Sequence, residues 1–462
     1  MTYDLVVAGA RVVTPSGTVE RNVLVKDGLV AGLSSAVPEC GRLVRADGLV
    51  AVPGMIDPHM HYGVYSPVDE AARTESRVAA AGGTTTMMRM LRLGVPFEEG
   101  LPAQLEAASR SHLVDYAVHA SVFDEGQIAG MGFCAKMGVT SFKIYMNLGG
   151  EVGHVYMDQP PGHGELVGAR VEVSPGIVEG VVERAASLGC PVLVHAEDYE
   201  ACGCGMKEAR GRGLDGLGAW SESRPPDSEA KAIRQVCAAA RRHGCAIYVV
   251  HVGSRLALEQ VRRERALGTE IRAETCPHYL ALTHEGRGGY LAKVMPPIRT
   301  RADSESAWGA VRDGTIDAVG TDHVANRLSL KDGSDVWESL AGFPGSGTMA
   351  PLLLHHGVNA GRITIEDFAR LTSGAAARIF GLAGKGRIEE GADADIVLLD
   401  LRTERRVEAG MFGGYSDYDV YEGQVLRGWP AVTISRGEVV SEGLDVHASP
   451  GRGRLVPRLR GS

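Results

Sequence analysis

The chain has 462 residues, of which 44% are hydrophobic and 23% are charged, and its formal net charge is −9. This composition is typical of a folded globular protein and excludes a disordered or coiled-coil chain. The negative net charge disfavours binding to nucleic acid or to an anionic membrane. No apolar run reaches the roughly 18 residues that a membrane span needs. The first residues lack the basic segment of a signal peptide, so we expect a cytoplasmic protein.

The eight cysteines are scattered along the chain. In a long chain without a secretion signal, this distribution indicates reduced thiols rather than a disulfide framework. Cys202 and Cys204 are one residue apart in a Gly-rich stretch. We interpret that stretch as a loop, with a metal site as the alternative.

Both ends of the chain have the pattern of short β-strands. The first 50 or so residues alternate apolar and polar side chains between turn pairs such as Asp27-Gly28, which is typical of hairpins. The segments Asp393–Asp400 and Ala431–Val440 have the same character. We therefore predict one small β-domain assembled from both termini.

The middle of the chain alternates short apolar strands with helical stretches, which is typical of an α/β fold with a parallel (β/α)₈ barrel. Polar residues at the carboxyl ends of such strands face the functional end of a barrel. The predicted helices include 179–188, 228–243 and 255–267. The eight predicted strands are 49–56, 84–88, 117–122, 141–145, 192–195, 247–251, 271–275 and 318–321.

His59 and His61 follow the first predicted barrel strand. In an extended segment, residues i and i+2 point to the same side, so both imidazoles can reach one metal ion. The alternative is two unrelated histidines. Their position after Pro53-Gly54-Met55-Ile56-Asp57, at a strand end, favours the metal site.

Lys143 lies among apolar residues of the fourth predicted strand. A buried ammonium is costly unless its charge is paired or removed. One interpretation is a side chain that extends its ammonium to the strand end. The other is a neutral amine that reacts with CO₂, since the resulting carbamate can bridge two metal ions.

His195 and His251 each end an apolar run, and Asp322 follows the eighth predicted strand. Taken singly, each histidine could be a core residue and Asp322 a helix N-cap. Together at one barrel end they favour metal ligation. Imidazole and carboxylate ligands suit Zn²⁺, with Mn²⁺, Co²⁺ and Fe²⁺ as alternatives.

With these residues placed, the chain resembles the cyclic amidohydrolases, the group of dihydropyrimidinase, hydantoinase, allantoinase and dihydroorotase. This resemblance implies a (β/α)₈ TIM barrel over residues 53–385, a small β-sandwich domain from residues 1–52 and 386–445, and a basic C-terminal tail over 446–462. The motifs that carry it are PGMIDPHMH (53–61), GGTTT (82–86), SFKIYM (141–146), VLVHAE (192–197), YVVHVGS (248–254), ETCPHYL (274–280), PPIR (296–299), GTDH (320–323) and GRIEEGADADIVLLD (386–400).

The resemblance also implies a binuclear centre and a mechanism. A hydroxide that bridges the two metals attacks the ring carbonyl, since metal binding lowers the pKa of water to about 7. Asp322 is the catalytic residue that accepts the proton and passes it to the leaving nitrogen. One metal would be held by His59, His61, carboxylated Lys143 and Asp322, and the other by Lys143, His195 and His251.

Individual positions bear on the choice of substrate. Dihydroorotases carry an Arg just after the HxH pair, where this chain has Tyr62. Dihydropyrimidinases and hydantoinases carry a Tyr that stabilises the oxyanion, and Leu148 takes the matching place here. Main-chain groups at Met295 and Gly345 are expected to bind the substrate amide. C-terminal segments resemble the dihydropyrimidinase–hydantoinase side, so a ring hydrolase of that kind is our first prediction.

Two further segments bear on function. Residues 147–173 are rich in Gly and Pro, and we interpret them as a loop over the barrel mouth that acts as a lid, or else as a solvated excursion. The family resemblance implies that the basic tail packs across a subunit interface, in a homo-oligomer that is a tetramer or a dimer.

Three other functions stay open at this point. One is an allantoinase or dihydroorotase-like ring hydrolase. Another is a phosphotriesterase- or deaminase-type reaction on the same barrel. The last is a non-catalytic scaffold related to dihydropyrimidinase, which metal analysis would separate from an enzyme.

Overall fold

A computed structural model describes residues 2–286, 288–331, 333 and 335–459. The N-terminal part folds into seven short strands. The strands are β1 (Tyr3–Ala8), β2 (Arg11–Thr14), β3 (Gly17–Glu20), β4 (Asn22–Lys26), β5 (Leu29–Ser34), β6 (Cys40–Arg45) and β7 (Val50–Pro53). Four of them form a sheet in the order β5-β4-β1-β6, in which β1 and β6 run parallel and the other pairs antiparallel.

The middle of the chain contains the barrel strands and one hairpin. Among the described residues they are β8 (Met55–His61), β9 (Thr84–Leu91), β10 (Asp115–Ser121), β11 (Phe142–Tyr145), β12 (His154–Met157), β13 (Val167–Arg170), β14 (Val192–His195), β15 (Ile247–Val249), β16 (Ile271–Thr275), β17 (Ala318–Val319) and β18 (His323–Val324).

The barrel sheet is parallel and closes on itself. Its order is β17-β16-β15-β14-β11-β10-β9-β8-β18. The strands β17 and β18 are two halves of one interrupted eighth strand: β17 pairs with β16, and β18 pairs with β8. The predicted (β/α)₈ barrel is therefore confirmed.

Two strand predictions need correction. The predicted strand 49–56 is two strands, because β7 joins a terminal sheet and the barrel strand begins only at Met55. The chain changes sheets at Gly54, where a Cβ would overlap the side chain of Thr85. The predicted eighth strand 318–321 stops at Val319 and resumes at His323.

Helices connect the strands on the outside of the barrel. They are α1 (Val68–Ala81), α2 (Phe97–Ser111), α3 (Glu125–Lys136), α4 (Pro175–Ser187), α5 (Tyr199–Gly211), α6 (Gly216–Ser223), α7 (Pro226–His243), α8 (Arg255–Ala266), α9 (Pro277–Ala281), α10 (Arg301–Asp313), α11 (Met349–Leu353), α12 (Ile365–Ala369) and α13 (Ala375–Ile379). The three helices predicted from the sequence correspond to α4, α7 and α8. Helix α7 buries Ile233, Val236 and Ala240 on one face, as the helical period requires.

Shorter helical segments complete the set. Leu354–Val358 and Arg370–Gly374 are π-helical turns that follow α11 and α12. Gly150–Val152, Gly289–Ala292 and Leu328–Leu330 are 3₁₀ turns. Across the described ranges, every helix is too short or too polar to cross a membrane.

The stretch around Cys202 and Cys204 is helical, not a loop. It lies in α5, whose first turn is capped by Asp198 through a hydrogen bond from the Ala201 amide. The cap satisfies an amide that the helix itself leaves open, and this favours helix despite the glycines.

Both termini build the sandwich next to the barrel. The C-terminal strands are β19 (Ile396–Arg406), β20 (Val425–Ser435), β21 (Glu438–Glu442) and β22 (Asp445–Val446). They form a seven-stranded sheet in the order β22-β21-β20-β19-β7-β2-β3. Val7 and Val23 of the four-stranded sheet pack in one core with Val12 and Leu398 of this sheet. The predicted sandwich from both termini is therefore confirmed.

The segment 147–173 is not a plain loop. It contains the antiparallel hairpin β12–β13, with Val155 opposite Ala169 and Met157 opposite Val167. Val155 and Met157 are buried, and the apolar residues of His154–Met157 alternate with polar ones as a half-buried strand requires.

The tail packs against the end of the barrel opposite the strand carboxyl ends. The Tyr116 amide donates to Arg454 O at 2.9 Å, and the Val456 amide donates to Tyr116 O at 2.8 Å. The Arg458 guanidinium donates to Ser141 Oγ at 2.8 Å. Residues 460–462 of the predicted tail lie outside the described residues.

Candidate metal centre

Six side chains meet at the carboxyl ends of the barrel strands. They line one cavity of about 180 Å³. Each lies in a barrel strand, just after one, or in the break in the eighth strand. They meet because parallel strands bring their carboxyl ends to one rim. The six are His59, His61, Lys143, His195, His251 and Asp322.

His59, His61 and Asp322 form a compact group of possible ligands. The two Nε2 atoms are 3.2 Å apart. Asp322 Oδ1 lies 3.2 Å from His59 Nε2 and 3.0 Å from His61 Nε2. Ligand atoms around a tetrahedral Zn²⁺ at about 2.0 Å are roughly 3.3 Å apart. The donor set therefore fits one such ion.

His195 and His251 form a second pair. His195 Nδ1 and His251 Nε2 are 3.0 Å apart, and the rings are edge-on. Burial lowers the pKa of all four imidazoles, so each is neutral and can bind a metal. The four are His59, His61, His195 and His251.

Lys143 is fully buried within this cavity rim. Its Nζ has no hydrogen-bond partner among the residues that the structure describes. Burial lowers the pKa of Lys143 to about 7, against the attraction of Asp322 and Glu274. The lowered pKa favours the neutral amine, which is the form that reacts with CO₂. The orphaned amine fits a carbamate that would contribute oxygen ligands here.

Glu274 orients the first imidazole. Its Oε1 accepts from His59 Nδ1 at 2.8 Å and from the His251 amide at 3.2 Å. The Tyr248 hydroxyl donates to Oε2 at 2.8 Å. Burial raises the pKa of Glu274 to about 8, against that hydrogen bond. A carboxyl behind the far ring nitrogen fixes which nitrogen points at a metal.

Glu197 orients an imidazole of the second pair, that of His195. Its Oε2 lies 2.7 Å from His195 Nε2, and Arg224 donates to both of its oxygens at 3.0 and 2.7 Å. Burial opposes ionisation, but Arg224 and His195 lower the pKa of Glu197 to about 2. His195 is thereby turned so that Nδ1 faces His251.

Asp57 ties the first strand to the break in the eighth. Its Oδ1 accepts from the amides of Thr321 at 3.0 Å and His59 at 3.2 Å, and its Oδ2 accepts from Thr321 Oγ1 at 2.6 Å. Burial raises the pKa of Asp57 to about 6, against the bonds from Thr321. These bonds hold Asp322 beside the histidine pair.

The roles of Glu197, Glu274 and Asp57 were not predicted from the sequence. Each lies in a motif that was recognised, but the motif alone does not say which ring nitrogen or amide its carboxyl meets. For Glu197 the available signal is its position two residues after His195, on the same side of an extended segment.

The predicted substrate residues are placed differently from one another. Leu148 and Met295 line the cavity. Gly345 is not among its lining residues, and its amide donates to His323 Nδ1 at 3.1 Å. Tyr62 points away, with its hydroxyl 3.1 Å from His112 Nε2. The lining also includes Tyr65, Arg92, Tyr145, Asn147, His154 and Tyr156.

Comparisons with known proteins agree with this geometry. Residues 50–440 match the model of the amidohydrolase family. The chain is 33% identical to an allantoinase of Rubrobacter xylanophilus, over 98% of this chain and 97% of that protein. It is 29% identical to an L-hydantoinase of Paenarthrobacter aurescens, over 99% and 98%. A crystal structure of a D-hydantoinase superposes with a TM-score of 0.89 at 27% identity and covers 99% of both chains.

Proposed function

This chain belongs to the amidohydrolase family, and on that premise we propose how its centre opens a ring. The chain is a metal-dependent hydrolase of carbon–nitrogen bonds in small cyclic amides, like the relatives named hydantoinase, dihydropyrimidinase and allantoinase. Within this class we assign it a hydantoinase or dihydropyrimidinase-like reaction. An allantoinase-like reaction is the second candidate, supported by the 33% identity to an allantoinase.

Two divalent cations, which we propose are Zn²⁺, would occupy the centre. His59, His61 and Asp322 would hold one, and His195 and His251 the other. Lys143, as a carbamate, would bridge them. The observation that carries this proposal is the orphaned, buried amine of Lys143 on the same cavity as four neutral imidazoles and one carboxylate.

The cations would lower the pKa of a water and polarise the ring carbonyl. A side chain of the protein then transfers the proton. Asp322 accepts the proton of the attacking water and returns it to the ring nitrogen as the C–N bond breaks. Leu148 and main-chain groups at Met295, which line the cavity, would bind and orient the ring. Gly345 takes no part, because its amide donates to His323 Nδ1 instead. The product is an open-chain N-carbamoyl acid or a similar species.

The assembly and location that we expected from the sequence stay predictions. We propose a homo-oligomer, a tetramer or a dimer, in the cytoplasm. The basic tail supports the oligomer through the family resemblance of its sequence. The mass of the protein in solution, measured by light scattering, tests the subunit number.

The test of the function combines metal analysis with a substrate panel. We expect about two metals per chain, and opening of at least one ring among hydantoins, dihydrouracil, allantoin, dihydroorotate and small imides. Growth with ¹³C-bicarbonate should give a carbamate carbon signal that is absent in Lys143→Ala. A reproducibly metal-free protein that opens no ring would contradict the proposal and support a scaffold.

Asp322→Asn tests the proton transfer. We expect kcat to fall by about 10²–10⁴-fold, the usual contribution of general acid–base catalysis, while at least part of the metal is retained. Asp227→Asn, at an exposed position of α7, is the matched control and should leave kcat unchanged. Full activity in Asp322→Asn would exclude this role.

A further inference from the structure

Arg92 is a cation in the substrate cavity to which the ring-opening reaction assigns no task. It directly follows β9, at the same rim as the metal ligands, and lines the same cavity. Its Cζ lies 6.0 Å from the ring centre of Tyr145, and its Nη2 lies 3.4 Å from His61 Nδ1. A bound ring would therefore meet this guanidinium beside the metal centre.

The backbone of Arg92 is fixed by Asp158, which directly follows β12 in the connection to β13. The Arg92 amide donates to Asp158 Oδ2 at 2.5 Å, and the Asp158 amide donates to Arg92 O at 2.8 Å. The other oxygen of Asp158 is ion-paired with Arg89, and both of these side chains are buried. A Cβ at Gly63 would overlap this pair, so the cluster is tightly packed.

This arrangement leaves the guanidinium of Arg92 unpaired. Asp158 is occupied by Arg89 and by a main-chain amide, and no other carboxylate in the described part of the chain forms an ion pair with Arg92. Its Nε is buried without a hydrogen-bond partner. When His61 binds a metal through Nε2, its Nδ1 carries a proton, so the contact with Nη2 joins two donors and is not a hydrogen bond.

The rest of the cavity, as far as its described residues show, also gives Arg92 no counter-charge. Of the described residues that line it, only Asp322 is acidic, and that carboxylate belongs to the metal group. Covering an unpaired guanidinium with a neutral ring is costly, whereas a carboxylate on the ring would form a bidentate, charge-assisted pair with it. Asn147, whose Oδ1 is also buried without a partner, adds a second polar group to this wall.

We propose that Arg92 binds an anionic substituent of the substrate, so that the preferred substrates are cyclic amides that carry a carboxylate on the ring or on a short side chain. This inference rests on the proposed function for the ring and adds the charge of its substituent. A neutral carbonyl on the substituent, such as that of a ureido group, could also accept from the guanidinium, and the test separates the two.

The experiment compares two substrates of nearly equal shape, hydantoin-5-acetate and hydantoin-5-acetamide. We expect kcat/KM to favour the carboxylate by about 30-fold or more, the scale of a desolvated charge pair. Arg92→Met should remove that preference, because kcat/KM falls for the carboxylate far more than for the amide. Arg92→Lys, which keeps the charge but not the planar guanidinium group, should keep part of the preference for the carboxylate. Arg73→Met, at an exposed position of α1, is the control.

A binding measurement keeps the test independent of turnover. Calorimetry with the ring-opened products, N-carbamoyl-aspartate and N-carbamoyl-asparagine, should show tighter binding of the aspartate compound in the wild-type protein but not in Arg92→Met. Metal content is measured for each variant, so that loss of the centre is recognised.

The outcomes distinguish the two proposals. If rings open but the carboxylate has no advantage, or keeps it in Arg92→Met, this inference is overturned and the proposed function stands. If both substrates depend equally on Arg92, the residue binds a neutral carbonyl and the anion is excluded. If no ring opens but N-carbamoyl-aspartate binds with dependence on Arg92, the anion site stands and the proposed reaction fails.

Discussion

Two of the proposed ligands have a backbone conformation that residues with a side chain rarely adopt. His251 has a φ of 46° and Asp322 a φ of 51°. Such left-handed positions cost about 1–3 kcal/mol and persist only where neighbouring bonds hold them. The His251 amide is bound by Glu274, and Asp322 follows Thr321, which is bound by Asp57. These backbone conformations turn the side chains of His251 and Asp322 into the cavity.

Glu197→Gln tests the carboxylates behind the imidazoles. The change keeps the shape but removes the charge that fixes His195 and pairs with Arg224. We expect the affinity for the metal held by His195 and His251 to fall by about 10–100-fold, measured by competition with a chelator. The exposed Glu200 provides the control Glu200→Gln. Equal metal affinity in both variants would contradict the role of Glu197.

At the scale of elements, the breaks in the strands position the site residues as much as the strands do. The interrupted eighth strand places Asp322 between β17 and β18, so that each half can pair with a different neighbour. The hairpin β12–β13 brings Tyr156 and His154 to the cavity mouth. Tyr65 packs edge-on against Tyr156, with ring centres 6.0 Å apart. The hairpin thus forms one wall of the substrate site.

Tyr156→Ala tests whether the hairpin selects substrates. We expect KM to rise and the ratio of kcat/KM between large and small rings to change, because an aromatic wall of the cavity is lost. Metal content should stay as in the wild type. Val167→Ala, on the outer strand of the same hairpin at a partly exposed position, should behave as the wild type. Unchanged kinetics of Tyr156→Ala on every ring would remove the hairpin from substrate choice.

The sequence predicts these elements unevenly, for physical reasons. Apolar runs reveal buried strands, so the barrel and the residues at its strand ends can be predicted from the sequence. A continuous run such as 49–56 does not reveal where the chain leaves one sheet for another, because both sides of that point are buried. The pairing of Asp158 with Arg89, which leaves Arg92 unpaired, joins residues that are far apart in the chain and follows from the fold alone.

At the scale of the whole molecule, the two ends of the barrel carry different groups. The carboxyl ends of the strands carry the metal centre, and the opposite end is closed by the tail and by a buried charge cluster. Lys385 Nζ lies 2.6 Å from Asp115, 2.9 Å from Asp393 and 2.8 Å from Asp395. The three carboxylates are close enough to hold a cation, and the ammonium fills that place. Asp115 also accepts from the Arg454 amide, so barrel, sandwich and tail meet here.

Lys385→Met tests this junction. Removing the ammonium leaves buried carboxylates facing one another, and breaking a buried charge pair costs about 3–5 kcal/mol. Burial opposes the charge, but Asp395, Asp115 and Asp393 raise the pKa of Lys385 above its ordinary 10.5. The stabilisation is therefore complete below pH 10.5 and is lost only as the pH rises further. We expect the free energy of unfolding, measured by urea denaturation, to fall by the same amount at pH 7 and pH 9. Lys136→Met, at the exposed end of α3, should change it little, and an equal loss in both variants would contradict a stabilising junction.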